Sequence, residues 1–286
     1  MPSIKVHQLL AGRDFASGSQ SPMDLMASQM ANYVYLVELP PPAFSAEADA
    51  SSSSSQQQKK FALVDPAWDV EGILEFAKKN KLGTPAGALF THRHLDHVGG
   101  NVTLGGGKQR IQVPGLLHFV QHKMCPVYVG SDDVAATARQ TGVAEKSITP
   151  CNEGDVLFNC IKVVHTPGHT PGSVCFQVGE EYLISGDTLF IGSCGRVDLA
   201  ESNPEAMDAS LYRLSKFPDR LKVLPGHNYA APPTSTIGKE RASNFMMRQA
   251  MSNLRPEPTS ATLSSCLLPD YVGAARRALL EERGKF

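Results

Sequence analysis

Histidine is scarce in this chain, nine in all, yet His92, His94 and His97 fall within six residues, with Asp96 among them and Gly99-Gly100 just beyond. Four ligand-type side chains in so short a run are hard to explain as packing. In an extended loop His92 and His94 point to the same side, so their imidazoles can converge on one metal ion; Asp96 and His97, on the next turn, can face a neighbouring ion. His169 stands in His165-Thr166-Pro167-Gly168-His169-Thr170-Pro171-Gly172. There Pro and Gly stiffen a turn and let the backbone approach an ion, while His165 precedes the turn and is expected outside the ligand set. Asp187, in Ser185-Gly186-Asp187-Thr188, follows an expected strand, where a carboxylate can bridge two cations, and His227 follows another in Pro225-Gly226-His227-Asn228. N and O ligands without Cys make a hard, hydrolytic type of site, and His and Asp suit zinc, iron and manganese alike.

Such a set needs a scaffold that brings several strand ends together. Residues 32–39 and 61–64 are rich in β-branched and aromatic side chains and are expected to form two facing strands. Between them, residues 40–60 hold Pro40-Pro41-Pro42, a serine run and Gln56-Gln57-Gln58, a composition that buries too little apolar surface to order itself, and this is read as a solvated hairpin insertion. Val70, Ile73, Leu74 and Ala77 predict a surface helix over 69–79, capped by Asp69 and closed by Lys78-Lys79. A short buried strand over 88–90 runs straight into Thr91 and His92. Further strands are expected at 127–129, 161–164, 174–178, 182–184 and 223–224, and a helix over 203–217 with Pro204 in its first turn. Beyond His227 the chain is polar and helical in tendency, over 241–252 and 271–282. The order predicts an α/β protein, an αββα sandwich of two mixed β-sheets flanked by helices. Residues 1–230 would be the metal-binding domain and 231–286 a helical extension packed on it.

The 286 residues, 42% hydrophobic and 19% charged, suffice for a sizeable core. A net charge of −1 offers no broad basic excess to hold a phosphate backbone, which argues against nucleic acid. No apolar run is long enough to span a bilayer, and the first eight residues lack the apolar stretch of a secretory signal, so a soluble, cytoplasmic protein without a membrane partner is expected. Cys125, Cys151, Cys160, Cys175, Cys194 and Cys266 form no CxxC pair and are expected to be mostly reduced and buried.

At its ligand-type residues the chain resembles the metallo-β-lactamase superfamily. The HxHxDH motif of that superfamily is matched by His92-Arg93-His94-Leu95-Asp96-His97, and its later His, Asp and His by His169, Asp187 and His227; the likeness covers roughly residues 32–227. The resemblance implies that His92, His94 and His169 hold a first metal, Asp96, His97 and His227 a second, and that Asp187 bridges them, with Asp65 orienting a ligand from behind. Gly186-Asp187-Thr188-Leu189-Phe190, followed by Cys194-Gly195-Arg196, is similar to the hydroxyacylglutathione hydrolases (glyoxalase II), whose segment reads GDTLF then GCGK. Tyr229 matches a glutathione-binding Tyr of that group. Arg196 takes the place of its Lys and can still pair with a glycyl carboxylate. The RxxK pair of the group's C-terminal domain is not reproduced by Arg276-Arg277 or Arg283-Gly284-Lys285. Residues 235–241 resemble instead the ending of persulfide dioxygenases and of shorter glyoxalase II-like hydrolases.

In those dioxygenases the equivalents of His92, His169 and Asp187 hold a single iron, which makes a mononuclear iron persulfide dioxygenase the alternative. Thr188-Leu189-Phe190 favours the hydrolase, because the dioxygenases usually read GDALL there. The implied enzyme is a binuclear hydrolase acting on a small glutathione-derived thioester. Two divalent ions (Zn, Fe or Mn) acidify a bridging water so that hydroxide attacks the carbonyl, with Asp96 and Asp187 as its catalytic carboxylates.

Overall fold

The computed structural model describes residues 4–17, 21–41, 58–104 and 109–254. In chain order the first half runs β1 (Val6–Leu10), α1 (Pro22–Met30), β2 (Tyr33–Glu38), β3 (Lys60–Val64), α2 (Val70–Lys79), β4 (Thr84–Phe90), α3 (Leu95–Val98), β5 (Gly100–Leu104), β6 (Gln109–Val113), α4 (Leu116–Gln121), β7 (Val127–Gly130), α5 (Val134–Thr141) and β8 (Thr149–Cys151). The second runs β9 (Val156–Leu157), β10 (Ile161–His165), β11 (Val174–Val178), β12 (Tyr182–Gly186), α6 (Pro204–Leu214), β13 (Lys222–Pro225), β14 (Ser235–Thr236), α7 (Ile237–Ser243) and α8 (Phe245–Asn253). Residues up to Asn253 form one compact unit; of a second, Leu254–Phe286, only Leu254 is described.

Two six-stranded sheets, ordered β1-β2-β3-β4-β7-β8 and β14-β13-β12-β11-β10-β9, and a β5-β6 hairpin form among the described residues. Both large sheets are mixed. Strands β3, β4, β7 and β8 pair in parallel, as do β12 and β13, whereas β2 pairs antiparallel with β3 and β10 with β11. Side chains alternate across each strand, and here both faces are covered. Tyr33, Tyr35 and Val37 of β2 pack with Val163, Phe176 and Ile184 of the facing sheet. Val34 and Leu36 of the same strand turn to the opposite side, onto Ala27 of α1, Ile73 of α2 and Phe119 of α4. The outer face of the second sheet sends Val164, Cys175, Leu183 and Val223 against Met207 and Leu211 of α6 and Met247 of α8. The layers are therefore αββα.

Most expected elements form where their local chemistry lies. Asp69 caps α2 by accepting from Gly72 N at 2.9 Å, and Asn203 caps α6 by accepting from Ala206 N at 2.8 Å, with Pro204 next to it. The helix expected over 241–252 is divided. Asn244 leaves helical backbone, and its carboxamide donates to Phe190 O and Ser193 O while its Oδ1 accepts from Met247 N, ending α7 and capping α8. Residues 42–57 of the expected insertion and the helix expected over 271–282 lie outside the described residues; Lys60 belongs to β3. Cys151 and Cys175 are buried, and Cys125, Cys160 and Cys194 are half-buried. Burial pushes their thiols up, to about 12 at Cys151 and about 11 at Cys175, so neither is an activated thiolate. Among the described residues no helix is long and apolar enough to cross a membrane.

The sheets are tied together at one end. Val174 N donates to Thr91 O at 2.8 Å, Tyr33 N donates to Gly226 O at 2.8 Å, and Asn32 forms an isolated bridge with His227. The loops leaving β4, β10, β12 and β13 meet there.

Candidate metal centre

Seven side chains converge at this junction. His92 follows β4, His94 stands just before the first residue of α3, and Asp96 and His97 lie within that single turn; His169, Asp187 and His227 arrive from the loops after β10, β12 and β13. All are buried except His94, which is half-buried. Three overlapping groups have ligand atoms within 4.8 Å of one another: His92, His94 and His169; His92, His97 and Asp187; and Asp96, His97 and His227. Asp187 stands between the first and the last. Its Oδ2 is 3.5 Å from His169 Nε2, whereas its Oδ1 is 3.5 Å from His97 Nε2 and 3.4 Å from His227 Nε2. Asp96 Oδ2 lies 3.3 Å from Nε2 of both His97 and His227. The backbone passes so close that a Cβ on Gly226 would sit 2.4 Å from Asp187 Oδ1, which is what the Gly beside His227 is for.

The outward nitrogen of each imidazole is held by oxygen. His97 Nδ1 meets Asp65 Oδ2 at 2.9 Å, His169 Nδ1 meets Arg196 O at 2.8 Å, His227 Nδ1 meets Met30 O at 2.7 Å and His92 Nδ1 meets Thr91 Oγ1 at 3.1 Å. These partners place the N–H on Nδ1 and leave the Nε2 lone pair facing inward. His94 is reversed: its Nε2 meets Glu201 Oε1 at 3.0 Å, so Nδ1 is the free atom. Asp65 also accepts from Thr91 N and Thr91 Oγ1, each at 2.7 Å, and so locks the turn that carries His92. Asn32 Nδ2 donates to Asp96 Oδ2 at 2.9 Å and is itself fixed by Trp68 Nε1, 3.0 Å from its Oδ1.

The electrostatics are those of cation ligands. Buried His92 Nε2, His169 Nε2 and Asp187 Oδ1 make no hydrogen bond, although an unsatisfied buried polar atom costs roughly 1–3 kcal/mol. His97 Nε2 and His227 Nε2 face each other at 3.2 Å, so the two nitrogens must share either a proton or a cation. Burial, then His97, His94 and His169, hold His92 well below the usual imidazole range. At His97 burial opposes the charge, yet Asp96, Asp65 and Asp187 outweigh it and raise the pKa well above that range. Burial also opposes ionisation of Asp187, but His227 and His97 hold its carboxyl low. Ligand atoms separated by 3.2–3.5 Å can share an ion at the usual bond length of about 2.0–2.2 Å, so the residues fit divalent metal.

The other expected residues occupy different places. Tyr229 stacks on the His227 ring, centroids 4.6 Å apart and 9° from parallel, and is half open to solvent beside Phe190. The Arg196 guanidinium is exposed and donates to both Asp198 oxygens, at 2.9 and 3.0 Å, while its carbonyl holds His169. His165 Nε2 meets Pro171 O at 2.9 Å, outside the three groups. Sequence reasoning missed Asn32, Trp68, Thr91, Asp133 and Glu201. One signal was available: Asp133 follows the expected strand at 127–129, in the same strand-end position as the ligands.

Comparison with known proteins agrees with this geometry. A family model of the metallo-beta-lactamase superfamily matches residues 56–227. The probable metallo-hydrolase YqgX of Bacillus subtilis is 31% identical over 190 residues, 64% of this chain and 86% of that protein. A hydroxyacylglutathione hydrolase of Xylella fastidiosa (strain M23) is 35% identical over 202 residues, 66% of this chain and 67% of that enzyme. Among solved structures, TTHA1623 in a di-iron-bound form aligns with a TM-score of 0.54 at 31% identity, covering 76% of this chain and 95% of that one. ETHE1 from Myxococcus xanthus, at 22% identity and a TM-score of 0.54 over 81% of this chain and 89% of that one, shares the fold. With the αββα layers, the His and Asp groups at the strand ends and a family match over more than half its length, the chain belongs to the metallo-β-lactamase superfamily.

Proposed function

We propose that this protein is a binuclear metal-dependent hydrolase of small thioesters of the hydroxyacylglutathione type. The observation that carries the reading is Asp187, whose two oxygens face different His/Asp groups, His169 on one side and His97 with His227 on the other. His92, His94 and His169 would hold one divalent ion and Asp96, His97 and His227 the other, all within residues 1–230, with Asp187 shared. The likeness to a relative of known di-iron form and to a named hydroxyacylglutathione hydrolase supports the same reading. When bound, two such ions supply Lewis acidity and a water acidified toward neutrality.

The chain's own residues supply the rest. Burial opposes ionisation of Asp96 and Asp187, but the surrounding histidines hold both carboxyls low, so both stay charged, ready to hold cations and to orient the reacting water by accepting its hydrogen bonds. Phe190 and Tyr229 form an aromatic wall beside His227 against which an acyl or thiol portion can lie. A thiolate leaves readily, which removes the need for a strong general acid. Arg196 would exchange Asp198 for a substrate carboxylate, and both side chains are exposed, where such pairs contribute little.

Elemental analysis coupled to two assays tests the proposal. Close to two ions per chain are expected, one after His227→Ala, together with hydrolysis of S-lactoylglutathione at weak saturation and a higher KM after Arg196→Ala. Oxygen uptake with glutathione persulfide, no thioester hydrolysis and a single iron per chain would overturn it in favour of a mononuclear dioxygenase.

A further inference from the structure

Asp133 is a fully buried carboxylate between β7 and α5 that belongs to none of the metal-type groups. Its Oδ2 accepts from Arg93 N at 3.1 Å and from Thr170 Oγ1 at 2.6 Å. Its Oδ1 accepts from Gly172 N at 3.1 Å and lies 3.6 Å from Arg93 Nε. Arg93 is the residue between His92 and His94, and Thr170 is the residue after His169. One side chain thus grips both loops that deliver the first group of ligands. The fit is tight, since a Cβ on Gly172 would sit 2.4 Å from Asp133 N and 2.6 Å from Asp133 Cβ. The network continues outward, with Arg93 Nη2 at 3.1 Å and His94 Nε2 at 3.0 Å from the same oxygen of Glu201.

The other group has supports that do not involve Asp133. His97 leans on Asp65, which also holds Thr91, Asp96 on Asn32, itself fixed by Trp68, and His227 on Met30 O. We infer that Asp133 is a positioning residue for the first metal alone, clamping the His92–His94 loop against the His169 loop while leaving the Asp96, His97 and His227 group untouched. The inference rests on the two-ion reading above. A carboxylate accepts at both oxygens; a carboxamide in its place turns an NH2 toward a donor and leaves at least one buried N–H without a partner.

The test is metal reconstitution. Protein stripped by a chelator is titrated with Co2+, following stoichiometry by elemental analysis and affinity by calorimetry. Wild type is expected to bind two ions and Asp133→Asn to bind its first-site ion at least about tenfold more weakly, as for other residues that orient metal ligands, with the second unchanged. His227→Ala should keep one ion, and Asp133→Asn combined with His227→Ala should keep none under conditions where each single variant keeps one. Thr170→Val, which removes the shortest contact without a buried charge change, should reproduce the loss in milder form and Thr170→Ser should restore it; this pair carries the test if Asp133→Asn does not fold. Affinity unchanged from wild type at both sites in Asp133→Asn and Thr170→Val, or parallel weakening of both sites, would overturn the inference. Wild type that binds one ion would instead overturn the two-site reading, and the inference with it.

Discussion

Asp65 sits at φ +53, a left-handed conformation that a non-glycine residue holds only when its surroundings compensate. Three donors supply that compensation: Thr91 N, Thr91 Oγ1 and the Nδ1 of His97. Asp65→Ala should leave all three without their acceptor in a buried site, destabilising the fold by on the order of 3 kcal/mol in urea melts and weakening binding of the ion proposed for the His97 group by about 10–100-fold. Asp65→Gly, which adopts positive φ freely, should recover up to about 1 kcal/mol of the stability and none of the metal affinity. Equal metal binding in both variants and wild type would show that His97 keeps its orientation without Asp65.

Helix α6 is fastened to the end of β10 by a small polar arrangement behind the His169 loop. Arg213 in its last turn donates to Glu153 Oε2 at 2.9 Å and to His165 O at 3.1 Å, and Glu153 accepts from His165 N at 2.8 Å. The hydrogen bond from Arg213 leads the causes that hold the Glu153 carboxyl below its ordinary range. A carboxyl lowered in the folded state stabilises fully above its unfolded pKa, about 4.5, and loses that contribution as pH falls through the lower folded value. Both side chains are nearly half exposed, so the pair contributes about 1 kcal/mol at most. Glu153→Gln should therefore lower Tm at pH 7 by no more than about 4 °C, and the gap to wild type should narrow as pH falls below about 4.5 and close once the lowered carboxyl is protonated. A gap that persists in acid would mean that shape, not charge, makes the contact.

Across the whole molecule, β2 and β3 join in register from Tyr35 with Val64 to Glu38 with Phe61, and Leu39 N still donates to Lys60 O at 3.0 Å beyond the last pair. That hairpin closes before the low-complexity stretch begins. Replacing residues 42–57 by a short turn should leave Tm within about 5 °C of wild type, because loop-closure entropy changes slowly with length. A larger fall in a thermal melt would mean that this stretch contributes to the core.

The seven His and Asp side chains that converge were legible without coordinates because they rest on scarcity and spacing: the histidine-rich run, and single His or Asp residues placed where an apolar run breaks at Gly. The αββα layers followed from alternation and caps that act within a few residues, as at α2 and α6. Strands β1, β9 and β14, too short or too mixed to show a period, form only because a neighbour offers its free edge. What tertiary structure alone decided are relations between distant residues: Asn32 on Asp96, Asp133 on Thr170, Glu201 on His94. It also decided how the two oxygens of Asp187 divide between two groups of ligands. Arg196 makes the reason plain. Its side chain invited a substrate role, but the atom that holds His169 is its backbone carbonyl, a group every residue carries, whose use depends on where the chain passes in space and not on which amino acid supplies it.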